Sequence, residues 1–424
     1  MKNIYLAILL SLCMAGPLHA SGFGVFTQGA KGLAQSNAVT AHVTGPSSLY
    51  FNPALLTDLQ GTWFEAGTTL VVADRTFRSD ATGLGEESAD SLKTPSSFYF
   101  TTQLNDQVSA GLGIYFPFGL STEWDKDWEG RYIATTSDVA TTNINPVVAY
   151  RYNDRFSIAV GLDILYLDAE LARQLNSTLI GVLINPPEGL GMLPDVGQEF
   201  SGDGWGVGYN LGMIYRINEE LSFGATFRSH IDVEVDGELG FQVPLDAAPL
   251  AALLPDTGGS ADVRLPRQAS FGLAWQASDQ LLIECGTRWE DWSSTEELRT
   301  DFDQPLLGQS ADLIPRDWED TWAVNIGAEY QLDNRISLMA GYLYSDNPVP
   351  DSTFDPTVPD SDAHLFTIGT GLTLGDWTLD LAYGFEHHRD RSKNNQIGVS
   401  TGMTANGEYQ ADIHLLAASI GYHF

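Results

Sequence analysis

The most restrictive feature of this sequence is a strict alternation of apolar with small or polar residues that returns along almost the whole chain. In one example, large apolar residues occupy every second position from Trp205 to Tyr215. Because consecutive side chains of a β-strand point to opposite faces, each such segment predicts a strand with one apolar face. We count fourteen of them, over residues 62–74, 95–104, 107–117, 143–152, 155–170, 204–217, 220–237, 264–277, 280–295, 319–331, 334–346, 362–374, 376–388 and 409–424.

The connections between these segments alternate in length. Tight polar turns such as Asn105-Asp106 and Asn153-Asp154 alternate with long acidic loops, which places all the long loops at one end. An even strand number, short turns at one end and an apolar outer face are typical of outer-membrane barrels, which leave no strand edge unpaired in lipid. We therefore predict an all-β fold, a 14-stranded antiparallel transmembrane β-barrel in the bacterial outer membrane. The final strand ends on Phe424, which resembles the signal read by the barrel-insertion machinery, an expected partner during biogenesis.

Composition excludes two other classes of protein. With 21 basic and 55 acidic residues the formal net charge is −34, which argues against nucleic acid as a partner because phosphate backbones are bound by basic side chains. A hydrophobic content of 43% is too high for a disordered chain.

The first part of the chain divides into two segments that precede the strands. A basic Lys2, an apolar run over 4–12 and a small residue at Ala20 predict a signal peptide over 1–20. Residues 21–61 are rich in glycine, partly apolar and not alternating, so we predict a plug in the lumen of a barrel formed by 62–424. A periplasmic tail is the alternative for this segment.

Two of the long loops, 171–203 and 238–263, are unusual because they are apolar. Their spacing predicts short amphipathic helices. Apolar surface at the cell exterior is what the capture of a hydrophobic solute requires, whereas a packed cap over the barrel mouth is the alternative. The candidate ligand-binding residues are Leu179, Val182, Leu183, Ile184, Leu250, Leu253 and Leu254.

The residues that usually carry catalysis show no recognisable pattern. The histidines lack metal-ligand spacing, and His387-His388 is predicted to be a solvated loop pair. We therefore expect no enzyme activity, no cofactor and no metal. An outer-membrane phospholipase or protease would need a catalytic set on the outer rim, and an adhesin barrel would not need the plug or the apolar loops.

Several short motifs together resemble the FadL family of outer-membrane transporters of long-chain fatty acids and aromatic hydrocarbons. Asn52-Pro53-Ala54 resembles the family's NPA motif near the mature N-terminus. The order and spacing of the other motifs extend the resemblance over nearly the whole mature chain. These motifs are 145–151, 209–212, 226–229, Leu265-Pro266, 347–350 and 358–360.

The resemblance implies a monomeric 14-stranded barrel with an N-terminal hatch and a passive route for a hydrophobic small-molecule ligand. That ligand would bind the third and fourth outer loops, reach an inner pocket, and leave sideways through a kink in the third strand. Phe116-Pro117-Phe118-Gly119 suits the kink because proline cannot donate to the strand ladder, although a proline that merely ends the strand is the alternative. Lipid and lipopolysaccharide would surround the barrel, and the acidic loops could share divalent cations with the latter.

The resemblance points to long-chain fatty acids as substrate, with neutral aromatic or aliphatic hydrocarbons as the alternative. Arg173 resembles a carboxylate-binding arginine of the family by its distance after Tyr166. Yet Glu319 stands where a lysine is expected and Ala363 where an arginine is usual. The acidic outer loops also repel anions but not hydrocarbons.

Overall fold

The computed structural model of the chain describes residues 22–25, 27–89, 91–183 and 193–424. The predicted signal peptide, 1–20, and Ile184 of the predicted ligand-binding set lie outside these residues. Within the described ranges, no helix is long and apolar enough to cross a membrane.

Fourteen antiparallel strands close into a barrel, which confirms the predicted fold class. Several of them are interrupted, so the described residues contain 22 strand segments. Closure is complete because the first segment pairs with the last from Trp63–His423 to Ser79–Gly407. In chain order the segments are β1 (Thr62–Ser79), β2 (Gly85–Glu87), β3 (Ser91–Lys93), β4 (Ser96–Gln103), β5 (Val108–Tyr115), β6 (Gly119–Glu123), β7 (Thr136–Asn153), β8 (Phe156–Leu175), β9 (Val196–Arg216), β10 (Leu221–Arg228), β11 (Ile231–Gln242), β12 (Thr257–Leu265), β13 (Gln268–Gln276), β14 (Leu281–Glu290), β15 (Glu297–Leu306), β16 (Gln309–Pro315), β17 (Thr321–Gln331), β18 (Ile336–Ser345), β19 (Ala363–Leu374), β20 (Trp377–His388), β21 (Arg391–Lys393) and β22 (Gly407–His423).

The period-two pattern arises because each strand separates lipid from lumen. On β9 the large side chains of Trp205, Val207 and Tyr209 are exposed on the outside, whereas Asn210 is buried inside. Apolar side chains on the outer face contact lipid, where their exposure carries no free-energy penalty. The small or polar residues of the inner face leave space for the segment that fills the barrel.

The strands β7, β8 and β9 are longer than the alternation predicts. They continue outward into an extension formed with β11, β12, β15 and β16. Beyond the membrane the outer face of a strand meets water and carries polar residues such as Ser201 and Asp203, so apolar periodicity no longer marks the strand. Backbone hydrogen bonding continues regardless of that change.

The described residues before β1 lie inside the barrel. We divide them into an N-terminal arm (residues 22–25 and 27–28) and a plug body (residues 29–59). The plug body contains α1 (Ala30–Leu33), α2 (Ser48–Phe51) and the 3-10 helix η1 (Pro53–Asp58), and it is almost entirely buried. The wall contacts it closely, since a Cβ on Gly224 would lie 2.1 Å from the carbonyl oxygen of Thr40.

The described residues of the outer loops contain four short helices. The two apolar loops carry α3 (Ser177–Leu183) and the 3-10 helix η2 (Leu245–Leu250), as their spacing predicts. The 3-10 helices η3 (Trp292–Ser294) and η4 (Val399–Thr401) lie in two other outer loops.

Candidate functional site

The barrel wall is broken in its third strand. The segment β5 ends at Tyr115 and β6 begins at Gly119, and the ladder between β4 and β5 ends at the Phe98–Ile114 pair. Proline at position 117 has no backbone N–H to offer a neighbouring strand. In the part of the chain that the structure describes, a gap in strand pairing therefore opens beside residues 116–118.

The N-terminal arm supplies hydrogen bonds to the backbone groups that this break leaves unpaired. The N–H of Val25 donates to the carbonyl oxygen of Pro117 over 2.9 Å, and the N–H of Gly119 donates to the carbonyl of Phe23 over 2.9 Å. Gly24 and Phe118 form an antiparallel bridge between these two contacts. The arm thus acts as a short substitute strand on the inner side of the gap, since buried backbone groups need partners.

The side chain of Phe23 holds the arm in an aromatic cluster. Its ring lies 4.8 Å from Trp292 and 6.0 Å from both Phe118 and Trp318, all in edge-to-face orientation. Trp292 and Trp318 belong to the outer loop between β14 and β17 and are buried. The cluster therefore connects the arm, the broken strand and an outer loop.

A cavity of about 340 Å³ lies behind the gap. This volume falls within the range of roughly 300–1,000 Å³ that is usual for small-molecule pockets. Most of its lining is apolar, and both sides of the gap contribute to it. The apolar residues include Val25, Val71, Ala73, Phe116, Phe118, Leu120, Val139, Val358, Ile413 and Leu415. We call this space the inner cavity.

One end of the inner cavity is polar. His388 Nε2 lies 2.9 Å from a carboxylate oxygen of Glu386, and its Nδ1 lies 3.6 Å from Asp360. Burial raises the pKa of the Asp360 carboxyl to about 6, although the nearby His388 opposes that shift. Arg75 lines the same end and donates to the carbonyl of Ser121 over 3.1 Å.

The prediction of a solvated histidine pair is wrong for His388. Its side chain is 12% exposed, whereas that of His387 is 49% exposed. The reason is that β20 continues through both residues, so alternation turns His388 into the lumen and His387 outward.

A second, smaller cavity of about 60 Å³ lies in the outer extension, and we call it the mouth cavity. Arg173 lines it and does not stand alone: its guanidinium donates to Asp312 over 2.6 Å and to the Gln198 amide oxygen over 3.0 Å. The apolar part of the lining includes Leu171, Phe200, Leu239, Leu298, Phe302 and Ile314. The arginine predicted to bind a ligand carboxylate is therefore paired with a carboxylate of the protein.

The two apolar loops contact each other. Leu250 and Leu254 are 1% and 4% exposed in a cluster that includes Val196 and Ala247. Leu253 remains 36% exposed, and Leu179 is half-buried on α3, the helix that also contains Val182 and Leu183. The arrangement forms a packed cap whose rim keeps some apolar surface, and ligand binding at these residues stays a prediction.

The Asn52-Pro53-Ala54 motif fixes the plug body to the wall. The Asn52 amide donates to the carbonyl of Thr40 over 2.7 Å and to that of Met213 on β9 over 2.9 Å. Its side-chain oxygen accepts from the N–H of Ala54, which caps η1, and Pro53 takes the first position of that helix.

A buried carboxylate provides a second anchor. Glu284 on β14 accepts hydrogen bonds from the N–H groups of Thr40 and Ala41 over 2.5 and 3.0 Å, and its other oxygen lies 2.7 Å from His42 Nδ1. All four residues are buried. Such charge-assisted contacts are stronger than neutral ones, so the plug body is held more firmly than the arm.

Sequence reasoning missed three parts of this site. The pairing of the arm with the kink, the polar end of the inner cavity and the Asp312 partner of Arg173 all join residues far apart in the chain. One signal was present: Phe23, a large aromatic residue between two glycines, suits an extended strand that must enter a narrow space. Nothing in the sequence around Asp312 marks it as a partner of Arg173.

Comparison with known proteins gives consistent matches. A family model described as "Outer membrane protein transport protein (OMPP1/FadL/TodX)" matches residues 11–424. The long-chain fatty acid transport protein of Escherichia coli O6:H1 is 26% identical over 360 residues, 79% of this chain and 80% of that protein. Outer membrane protein P1 of Haemophilus influenzae is 24% identical over 456 residues, 97% of each chain.

Two crystal structures show the same fold. A FadL homologue from Pseudomonas aeruginosa aligns with a TM-score of 0.84 at 19% identity, covering 95% of this chain and 100% of that one. The toluene transporter TodX of P. putida aligns with a TM-score of 0.73 at 19% identity, covering 95% and 99%.

Proposed function

The chain belongs to the OMPP1/FadL/TodX family of outer membrane transport proteins, and we propose that it carries hydrophobic compounds passively into the outer membrane by lateral release. It is a transport channel of the outer membrane and not an enzyme. The ligand binds first at the outer loops, passes the mouth cavity, and rests in the inner cavity. It then leaves through the gap beside residues 116–118 once the arm moves aside.

The observation that carries this proposal is the position of the inner cavity. It is mainly apolar, and its lining includes residues of the break in the third strand and residues of the arm that bridges to that break. An apolar ligand in that place has a short path into the lipid and no aqueous path to cross. Partitioning alone drives the transfer, so no energy source is required.

The N-terminal segment acts as the hatch in this scheme, and the arm is its moving part. The arm is held by two backbone hydrogen bonds, a few side-chain contacts and one aromatic cluster, whereas Asn52 and Glu284 anchor the plug body through buried polar contacts. Segments with few buried contacts open at lower free energy than those with many.

The protein acts as a monomer in this proposal because one chain closes the barrel and contains the whole route. Lipid and lipopolysaccharide contact its outer face, and the barrel-insertion machinery assembles it. Exposed aromatic side chains at strand ends, such as Trp322 and Trp377, support placement at the lipid–water boundary.

Long-chain fatty acids are the substrate that the sequence favours, and the E. coli relative carries that name. Neutral hydrocarbons are a second candidate, favoured by the ion pair between Arg173 and Asp312. That pair leaves the predicted carboxylate-binding arginine already neutralised.

The substrate experiment is uptake of labelled oleate and labelled toluene by cells that lack their own fatty-acid transporter and express this protein. Oleate uptake that falls in Arg173→Ala assigns fatty acids and gives Arg173 its role. Toluene uptake without oleate uptake assigns hydrocarbons. If the protein takes up neither ligand although its heat-modifiable gel mobility shows a folded barrel, the transport proposal is refuted.

The lateral route is tested by locking the arm onto the wall. Gly24 and Phe118 are bridge partners, and paired antiparallel residues have Cα atoms about 4.5–5.5 Å apart, within the range that a disulfide needs. The double variant Gly24→Cys with Phe118→Cys should lose uptake when oxidised and regain it on reduction, while Gly24→Cys alone should not respond. Uptake that continues through the oxidised protein would rule out release through this gap.

A further inference from the structure

One ion pair spans the mouth cavity from one side of the outer extension to the other. Arg173 belongs to β8, Asp312 belongs to β16, and their side chains meet over 2.6 Å. Among the described residues these two strands are not paired with each other, since β8 pairs with β7 and β9 while β16 pairs with β15. The contact therefore exists because both side chains point into the cavity.

The pair is accessible to a ligand in the cavity, unlike the buried pair formed by Arg316 and Asp355. The side chains of Arg173 and Asp312 are 29% and 32% exposed, whereas those of Arg316 and Asp355 are 5% and 2% exposed. Apolar side chains surround it, including Phe200 and Leu239. A hydrophobic molecule with a carboxylate head would find both halves of a binding site here, an apolar wall and an arginine.

Asp312 already fills the arginine half of that site. A ligand carboxylate must displace it to reach Arg173, and it then lies close to a second negative charge. An uncharged ligand meets neither cost, because it needs only the apolar wall.

The inner cavity shows the same balance of charge. Lys93 pairs with Asp138 at its edge, and Arg75 shares the polar end with Asp360 and Glu386. Along the described part of the route, the basic side chains that line the two cavities thus lie beside carboxylates of the protein.

We propose that Asp312 is a specificity-determining residue, which holds Arg173 and makes the mouth cavity select uncharged hydrophobic compounds over fatty-acid anions. This inference rests on the proposed transport function and names the substrate class of the same route. Asp312 competes with the carboxylate of a ligand for the guanidinium of Arg173.

The test compares two ligands of equal chain length that differ in the head group, laurate and 1-dodecanol. Equilibrium binding of each radiolabelled ligand is measured on purified, folded protein. In Asp312→Asn the freed guanidinium offers a charge-assisted contact, and after allowance for partial exposure we expect the laurate-to-dodecanol affinity ratio to rise about tenfold.

Three further variants separate this role from a structural one. Asp312→Glu keeps the charge and should retain the wild-type ratio. Arg173→Gln with Asp312→Asn should lose the tenfold gain, because no arginine remains to bind the carboxylate. Asp301→Asn removes the same charge from the same hairpin, but at an outward-facing position that is 50% exposed, and should leave the ratio unchanged.

The possible outcomes distinguish the inference from the proposed function. If dodecanol binds but Asp312→Asn leaves the ratio unchanged, or Asp301→Asn raises it equally, the role of Asp312 is refuted while transport of hydrophobic compounds stands. If the wild-type protein binds neither ligand, the proposed function fails and the inference fails with it.

Discussion

Phe23 supplies the aromatic contacts that help to hold the arm on the broken strand, so Phe23→Ala should loosen the arm. The ring of Phe23 makes edge-to-face contacts with Phe118, Trp292 and Trp318 at 4.8–6.0 Å. Each such contact contributes about 0.5–1.5 kcal/mol, and contacts to one ring are not additive. We expect the substitution to weaken docking of the arm by roughly 2–3 kcal/mol, with the backbone hydrogen bonds intact.

That free energy corresponds to a rise of about 30- to 150-fold in the fraction of protein with the arm undocked. The assay follows alkylation of a cysteine placed at Val25 by an apolar maleimide dissolved in the bilayer. When docking and undocking are faster than alkylation, the labelling rate is proportional to the undocked fraction. Labelling of the chain without the new cysteine gives the background.

Two controls identify the source of any increase. A cysteine at Val39, which is fully buried in the plug body, should be labelled at the same rate with and without Phe23→Ala. Phe98→Ala removes a phenylalanine ring from the outer face, where it is 46% exposed, and should not change labelling at position 25. If Phe23→Ala leaves the rate at position 25 unchanged, or raises it equally at position 39, the arm is not held as we describe.

Three other substitutions test the plug, the cap and the polar end of the inner cavity. Asn52→Ala removes the side-chain donor to the carbonyls of Thr40 and Met213 and also a helix cap, so hydrogen exchange over residues 40–56 should accelerate, with a local cost of about 2–4 kcal/mol. Leu250→Ala should cost about 2–5 kcal/mol in the cap and speed proteolysis of the outer loops, whereas Leu253→Ala, at a more exposed position, should cost less than about 1 kcal/mol. Burial raises the pKa of Asp360 from 3.8 to about 6, so the folded state binds a proton in that window that the unfolded state has released, and stability falls as the pH rises through it. Asp360→Asn should remove this contribution to the free energy of unfolding, which is at most about 3 kcal/mol between pH 4 and 6. The unfolding midpoint should then depend less on pH in this range, and an unaltered pH profile would contradict this assignment.

The barrel could be predicted from sequence because its signal is local. Lipid on one side and a filled lumen on the other impose the same two-residue period on every strand. The outward orientation of Trp205, Val207 and Tyr209 can therefore be predicted from the sequence of their own strand alone. Alternating loop lengths then fixed which end faces outward. The predicted strands were too short where the environment changed, since β8 and β9 continue as strands into water without an apolar outer face.

The candidate site could be predicted only in outline. Pro117 marked the broken strand through its missing N–H, and the apolar loops marked the outer surface, because both are properties of single segments. Leu250 and Leu254 gave the same signal whether they face a ligand or a neighbouring loop. Only the packed structure shows that they are buried against each other.

The sequence by itself determined the strand number, the apolar outer face and the location of the break, because each depends on one residue's neighbours in the chain. Tertiary structure decided everything that joins distant segments: the arm that closes the break, the inner cavity behind it, and the pairing of Arg173 with Asp312, 139 positions apart. Barrel closure and register bring these groups together, and the local alternation of apolar residues carries no information about which partner a lumen side chain will meet.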